Sequence, residues 1–537
     1  MIRILLILIL LPFLLTATNW HVDNTASGGN DGTSWTDSWE SFADISWASL
    51  SASDTLFISG GTDSTIYNES LDIQESGSSG SPIIVIIGQS SPHNGKVVIT
   101  GSGGLSITNE IYVTVSGRIG SGSTQNIKVR DATGDNVTMN STTGVIVEYI
   151  EVCWSGDDGI SVDEQVGGGN IIRNCDIHDL ADYGIIINRP SGDESAGIIN
   201  DEHLIIENNE IHNLGEDGIH AAAYAGGLTI RGNEIHTQMD NVAQYADGMQ
   251  LRGWVHITVE SNWIHDLWSV DGVNGYIFVE CDVAQQSDTD AHDIYIFNNL
   301  ISETDHTTNS TQNSKGIEFK PIACGSLRDV LIANNTIVDT RVWGIEMHEF
   351  NNLTTANVSN VVVINNIIYN NDQRSGGASD RLSFVLHELN ATLTTGSIGD
   401  NVDIIWDHNL VDALTGTATC RYGGPGTGVL MDYSAFNAAS GCDDNGVEAD
   451  PTFTNYSENG VTAATDLRLS GSDNTALNAG VTSDLFSVDY ADVVRPQDAV
   501  WDIGAYEYVS GTGMPRNLRI IPGGSGYLLP DGSGKIY

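Results

Sequence analysis

Basic side chains are scarce in this chain. Of 537 residues, 21 are Lys or Arg against 70 Asp or Glu, a formal net charge of −49, and the lysines are Lys96, Lys128, Lys315, Lys320 and Lys535 alone. So acidic a surface repels nucleic-acid phosphates and anionic lipid, which argues against both as partners. Cysteine is sparse too. Cys153, Cys175, Cys281, Cys324, Cys420 and Cys442 lack CxxC spacing, which argues against a structural zinc site. Their even number in an exported chain points to disulfides, with Cys420 and Cys442 as candidate partners; buried free thiols are the alternative. Hairpin dipeptides such as Asn-Gly are few, which argues against an antiparallel sandwich. Long apolar runs are absent after the first residues. Arg3, the run Ile4 to Leu15 and then Thr16 and Ala17 read as a secretory signal over 1–17, too short for a comfortable membrane span, with an uncleaved anchor as the alternative. The mature chain is expected to hold no membrane span and to be secreted or displayed at the cell surface. A hydrophobic content of 40% argues against disorder.

What the chain does have is repetition. Cys175-Asp176-Ile177-His178 returns as Asn209-Glu210-Ile211-His212, Asn233-Glu234-Ile235-His236, Asn262-Trp263-Ile264-His265, Asn299-Leu300-Ile301-Ser302, Asn335-Thr336-Ile337-Val338 and Asn366-Ile367-Ile368-Tyr369, with a fainter Asn409-Leu410-Val411. A β-rich run precedes each copy, and a Gly followed by an apolar residue comes later in each unit, as in Gly184-Ile185, Gly218-Ile219, Gly248-Met249, Gly275-Tyr276 and Gly316-Ile317. Units of variable length, each two or three short strands without helical period, predict an all-β fold, a right-handed parallel β-helix solenoid. Asn tolerates the left-handed bend at a corner and its amide can stack from coil to coil; the following Ile points inward; the Gly permits a sharp return. The column His178, His212, His236 and His265 reads as a stacking ladder rather than a metal row.

The expected organisation is a signal over 1–17, an N-terminal cap region over 18–100 with a short amphipathic helix near Ser38–Leu50, the solenoid over 101–415, a closing region over 416–508, and a Gly/Pro-rich tail over 509–537 suited to cell-surface attachment. Trp20-His21-Val22-Asp23, Gly28-Gly29-Asn30-Asp31-Gly32, Asp450-Pro451-Thr452-Phe453 and Asp502-Ile503-Gly504-Ala505-Tyr506-Glu507, with the repeats, resemble secreted parallel β-helix proteins of the pectin-lyase-like superfamily over roughly 19–508. The resemblance implies fold and export. It leaves lyase, hydrolase and non-catalytic surface protein open.

Longer loops in three consecutive coils (238–246, 267–273 and 303–314) are expected to wall one strand flank. Period-two alternation puts Asp217, His220, Asp247, Gln250, Arg252, Glu280, Lys315, Glu318, Lys320, Glu346 and His348 on that flank. β-Elimination on a uronic-acid polymer needs a cation at the sugar carboxylate, a base for the C5 proton and an acid for the leaving oxygen. Lys320 or His348 is the candidate base, Arg252 the carboxylate ligand, and Asp217 and Asp247 further catalytic candidates. His220, Gln250, Lys315 and Glu346 are candidate substrate-binding residues, and Glu280 with Glu318 candidate Ca²⁺ ligands. Gly316-Ile317-Glu318-Phe319-Lys320 resembles the acidic-plus-Lys strands of calcium-assisted alginate and chondroitin lyases, although His348 stands where those families place an Arg. Paired carboxylates, Asp217 with Asp247 or Glu318 with Glu346, would instead suit a glycoside hydrolase. Asp157-Asp158-Gly159 resembles the paired Asp of polygalacturonases, but their later motifs are missing, and a solvated turn or Ca²⁺ site is the plainer reading. A non-catalytic glycan-binding adhesin is the third alternative, and an extracellular polysaccharide is the expected partner in all three.

Overall fold

The repeated asparagine sets the winding. In a computed structural model, Asn209, Asn233, Asn262, Asn299, Asn335, Asn366 and Asn409 stack as one buried row. From Asn233 onward the Oδ1 of each accepts from both the backbone N–H and the side-chain amide of the asparagine one coil earlier, at 3.0 Å between Asn233 and Asn262 and again between Asn262 and Asn299. The same amide also donates to a backbone carbonyl of the previous coil, as Asn262 does to Ile230 at 3.0 Å. Every polar atom in the row is thereby satisfied without water. The ends obey the same direction. Cys175 opens the row because it need only donate its N–H to Asn209, and Asp443 closes it because it need only accept from Asn409. The left-handed corner itself falls one residue earlier than the sequence suggested. Asn174, Asn208, Ser261, Asn298, Asn334, Asn365 and His408 carry φ between 52 and 56°.

The structure describes residues 17–163, 168–188, 204–221, 225–237, 246–252, 255–267, 275–280, 290–304, 314–321, 325–347, 357–371, 382–386, 395–396, 404–412, 420–422, 429–458, 460–498 and 500–510. Three sheets, of 14, 13 and 13 strands, run the length of the coil, and their strands pair in parallel save one antiparallel pair, Cys420–Tyr422 with Val429–Met431. This is a right-handed parallel β-helix, the hand that parallel crossover connections take. The first sheet begins with Asn19–Val22 and Thr55–Ile58, the second with Ser64–Tyr67 and the third with Leu71–Ile73. Winding therefore starts near Thr55, inside the stretch expected to be a cap.

The inward column Ile177, Ile211, Ile235, Ile264, Ile301, Ile337 and Ile368 is in register on consecutive coils and fully buried. Each such side chain contributes about 1.5–3 kcal/mol of apolar burial. The glycines of the third sheet serve close approach, not positive φ: a Cβ on Gly218 would lie 2.6 Å from the Gly248 carbonyl oxygen and 2.7 Å from Ile235 Cγ2. One coil breaks the pattern. Met249 pairs with Ile277, so Tyr276 occupies the glycine slot and Ile277, rather than Tyr276, is the inward residue.

The ends are plugged by aromatic packing. Phe42 and Trp47 are buried, but their elements are two 3-10 turns, Phe42–Asp44 and Trp47–Ser49, in place of the expected amphipathic helix. Short polar residues that bond each other locally, Ser41 with Asp44 and Ser46 with Ser49, favour turns over a continuous helix. At the other end the helix Tyr433–Ser440, capped by Asp432 and by Gly441 at φ +69°, lays Phe436 against Phe384, with ring centroids 4.8 Å apart. The last described segment then returns along the flank. The outward corner residues Asn298, Asn334 and Asn365 donate to the carbonyls of Val488, Asp502 and Val481.

The disulfide expectation is corrected: Cys153, Cys175, Cys420 and Cys442 are buried free thiols. Cys420 lies against the Met431 carbonyl and Cys442 inside the end plug, where each fills apolar space. Cys281, Cys324, the proposed signal and all of the tail beyond residue 510 lie outside the described residues. Among the described residues no helix is long and apolar enough to cross a membrane.

Candidate active site

The third sheet presents its outward side chains as ladders, because parallel strands repeat every 4.8 Å or so. His220, Gln250, Phe278, Glu318 and Glu346 are in one register column. Glu280 pairs with Lys320 in the next outward column, and Arg252 follows Leu251 into it. The residues expected on this flank are therefore on it, apart from His348, which lies outside the described residues. So does most of each loop expected to wall the flank.

Phe278, almost fully buried, divides the first column into two clusters. On one side Lys315 bridges Glu318 and Glu346 at 2.8 and 2.7 Å, with its ammonium 5.4 Å from the centre of the Trp343 ring. The two carboxylates hold the Lys315 pKa above its ordinary value although burial alone would lower it. Glu318 and Glu346 thus share one cation.

On the other side His220 Nδ1 lies 2.8 Å from Asp217 Oδ2, and both residues are nearly sealed from solvent. The Tyr183 ring covers the imidazole, with centroids 4.5 Å apart. Burial pushes the Asp217 carboxyl up to about 7. Burial, assisted by the charge of Arg252, lowers His220 to about 4. Between those values the pair holds one proton and no net charge. Asp247 is tied into the backbone: its N–H donates to Asp217 Oδ1 at 2.7 Å and its own Oδ1 accepts from Gly275 N–H at 3.0 Å. Its carboxylate thereby orders the turn before Tyr276.

Beyond the dyad, Glu280 Oε2 is 3.3 Å from Arg252 Nε and its Oε1 is 3.9 Å from Lys320 Nζ. Glu280 and Glu318 therefore face different cations in different columns. As a Ca²⁺ pair they do not fit: neither belongs to a convergent group of three His, Cys, Asp or Glu ligands among the described residues.

Three residues escaped the sequence reading. Asp182 and Tyr183 sit one coil before Asp217, and Glu216 directly precedes it in the chain. Asp182 is pushed up to about 6 by burial and then by the Glu216 carboxylate, and Tyr183 is raised by burial and by the same Glu216. The available signal was a polar doublet before the repeated glycine, Asp182-Tyr183-Gly184 and Glu216-Asp217-Gly218. Asp158, one coil further back, is pushed up to about 8 by burial; its Oδ1 accepts from Tyr183 N–H at 3.1 Å.

The four histidines of the second sheet do form a stack, with centroids 5.0, 5.0 and 4.9 Å apart and planes within 11°. His212 lies 3.3 Å from Asp176 and His265 3.2 Å from Glu234. They stand on a different sheet from the polar flank of the third.

No protein-family profile and no curated protein sequence matches this chain. Among solved structures it is similar to XylC in complex with xylose, at 11% identity and a TM-score of 0.44, over 92% of this chain and 98% of that one. It is similar to the pectate lyase Pel9A at 13% identity and 0.36, over 92% and 96%. An alginate lyase from Paenibacillus sp. str. FPU-7 is similar at 13% identity and 0.35, over 57% of this chain and 93% of that one.

Proposed function

We propose that the outer flank of the third sheet binds an extracellular, uronic-acid-containing polysaccharide and cleaves it by β-elimination. The observation that carries this reading is the sealed His220–Asp217 dyad, with Tyr183 over its ring and Arg252 near enough to shift its titration. In a chain of net charge −49, the cations Arg252 and Lys320 held together by Glu280 are a local exception where a sugar carboxylate can be neutralised. Neutralising that group acidifies the C5 hydrogen. His220, oriented by Asp217, removes the C5 proton; the C4–O bond breaks as the C4–C5 double bond forms; Tyr183, which keeps its proton at neutral pH, gives it to the leaving oxygen. This moves the base from Lys320 or His348 to His220 and leaves Lys320 a carboxylate ligand. Ca²⁺ takes no step, since Glu280 and Glu318 do not converge. Secretion, or surface display through the tail, accords with such a substrate.

Hydrolysis is the second reading, favoured by one observation: Asp182, pushed up to about 6 by burial and by Glu216, is a carboxyl that keeps its proton in mildly acid solution next to a second carboxyl, the division of labour a glycosidase needs. One assay separates the readings. The chain is incubated with alginate, pectate, chondroitin and neutral glycans, with and without EDTA. New absorbance near 235 nm, roughly where a conjugated uronate absorbs, marks elimination. Reducing ends without it mark hydrolysis, and binding with neither marks an adhesin. Elimination surviving Lys320→Ala and His220→Ala unchanged would reject the site.

A further inference from the structure

The outer face of the first sheet carries a second constellation of ligand-type side chains, unrelated to the flank just described. The strands Val255–Glu260 and Asp290–Phe297 pair in parallel, Val255 with His292 and Ile257 with Ile294. Between those pairs His256 and Asp293 face each other, and both adopt left-handed backbone, φ 55 and 56°. Neither is glycine, so each side chain is thrown out of the ordinary pleat at a backbone cost. They converge with His292. His256 Nδ1 is 3.1 Å and His292 Nδ1 2.8 Å from the same oxygen, Asp293 Oδ2. The two imidazoles stand edge to face, at 89° with centroids 5.3 Å apart, and one ligand atom from each of the three residues fits within 4.8 Å of the others.

We propose that His256, His292 and Asp293 bind one divalent transition-metal ion of the Zn²⁺ class. Metal–ligand bonds of about 2.0–2.2 Å in a tetrahedron place donor atoms roughly 3.3 Å apart, close to the spacing already present. Two imidazole nitrogens with one carboxylate suit Zn²⁺, Ni²⁺ or Cu²⁺ and are a poor set for Ca²⁺ or Mg²⁺. The neighbouring groups favour rather than oppose a cation. Tyr295 Oη donates to Asp293 Oδ1 at 3.0 Å and orients the carboxylate from behind. Arg328, beside His292 in register, is drawn 3.2 Å onto Asp329. Asp329 in turn accepts from the Asn360 amide. His256 keeps 40% of its side-chain surface accessible, so the metal keeps an open position toward solvent.

The test uses the full chain stripped with EDTA and dialysed. Zn²⁺ is titrated against a chromophoric chelator, and Co²⁺ against its own visible absorption. The expectation is one Zn²⁺ bound tightly per chain, undisturbed by excess Ca²⁺, with a Co²⁺ spectrum typical of nitrogen and oxygen donors. His256→Gln and His292→Gln each weaken Zn²⁺ binding at least about tenfold. His212→Gln, which interrupts the histidine stack of the second sheet, leaves it unchanged. The proposal is overturned if the unsubstituted chain neither competes with the chelator nor develops a Co²⁺ spectrum, if the double variant binds as the parent does, or if His212→Gln abolishes binding. If the variants fail to fold, a parent that develops no Co²⁺ spectrum, or one with thiolate charge-transfer bands, still overturns the proposal.

Discussion

His220 and Asp217 are joined by a 2.8 Å contact across the start of one strand, and burial drives their titrations in opposite directions. The basic form of the dyad, with a carboxylate accepting from Nδ1–H and a free Nε2, exists once the shared proton is lost. Elimination is therefore expected to rise with pH through about 7, the value of Asp217. Asp217→Asn should remove that limb and lower kcat/KM by at least about a hundredfold. A pH–rate profile of the two proteins checks this; an unchanged limb in the variant rejects the dyad as base.

Arg252 and Lys320 share Glu280, so their effects on a uronate substrate should overlap. Arg252→Ala is expected to cost about 2–4 kcal/mol in kcat/KM on an acidic polymer and less on its methyl ester, which carries no charge but can still eliminate. Steady-state elimination rates on free-acid and methyl-esterified forms of one polymer give the comparison. An equal loss on both would mean that Arg252 serves only the fold.

Lys315 separates two buried carboxylates at 2.8 and 2.7 Å. Lys315→Met takes the Lys315 ammonium away from both Glu318 and Glu346, and removal of one partner from a buried ionic cluster costs about 3–5 kcal/mol. Urea unfolding of the variant should show that loss. Adding Glu346→Gln should restore part of it, because one of the two opposed charges is then gone. Additive losses would contradict the pairing.

Within the amide row, position matters more than residue type. Asn262 accepts from Asn233 twice and donates to Asn299 and Ile230. Asn262→Ala strands several buried groups at about 1–3 kcal/mol each. Asp443 need supply Asn409 with an acceptor alone, which an Asn Oδ1 also provides, so Asp443→Asn should cost less than Asn262→Ala. Thermal unfolding of both variants would show whether the row has this direction.

Stability should fall as pH rises from 5 to 8. Asp158, Asp182, Asp217, Asp443 and Asp502 are raised by burial to about 8, 6, 7, 7 and 6, above any unfolded carboxylate. A raised acid stabilises the fold while protonated, and that contribution is lost as pH climbs through its folded value. Glu151, held below the usual range by His178 and by Lys128 and Lys96, and Asp407, lowered to about 2, act oppositely and only in acid. Melting temperatures across this range, at constant ionic strength, test the sign.

The amino-acid sequence determined the winding, the inward isoleucines, the amide row and the gathering of Arg252, Glu280, Glu318 and Lys320 on one flank. Those features follow from period-two alternation within a strand and from one residue type returning once per coil, both local properties. Packing between coils decided the rest. It seated Tyr276 in a glycine slot, left Cys420 and Cys442 as separate thiols, and made the corner residues Asn298, Asn334 and Asn365 the anchor of a returning segment. It also set each charge against its partner: Glu280 against Arg252 and Lys320, Lys315 between Glu318 and Glu346, His220 against Asp217. Pairing and protonation depend on burial and on atoms from neighbouring coils, distances that loops of unequal length conceal from any reading along the chain.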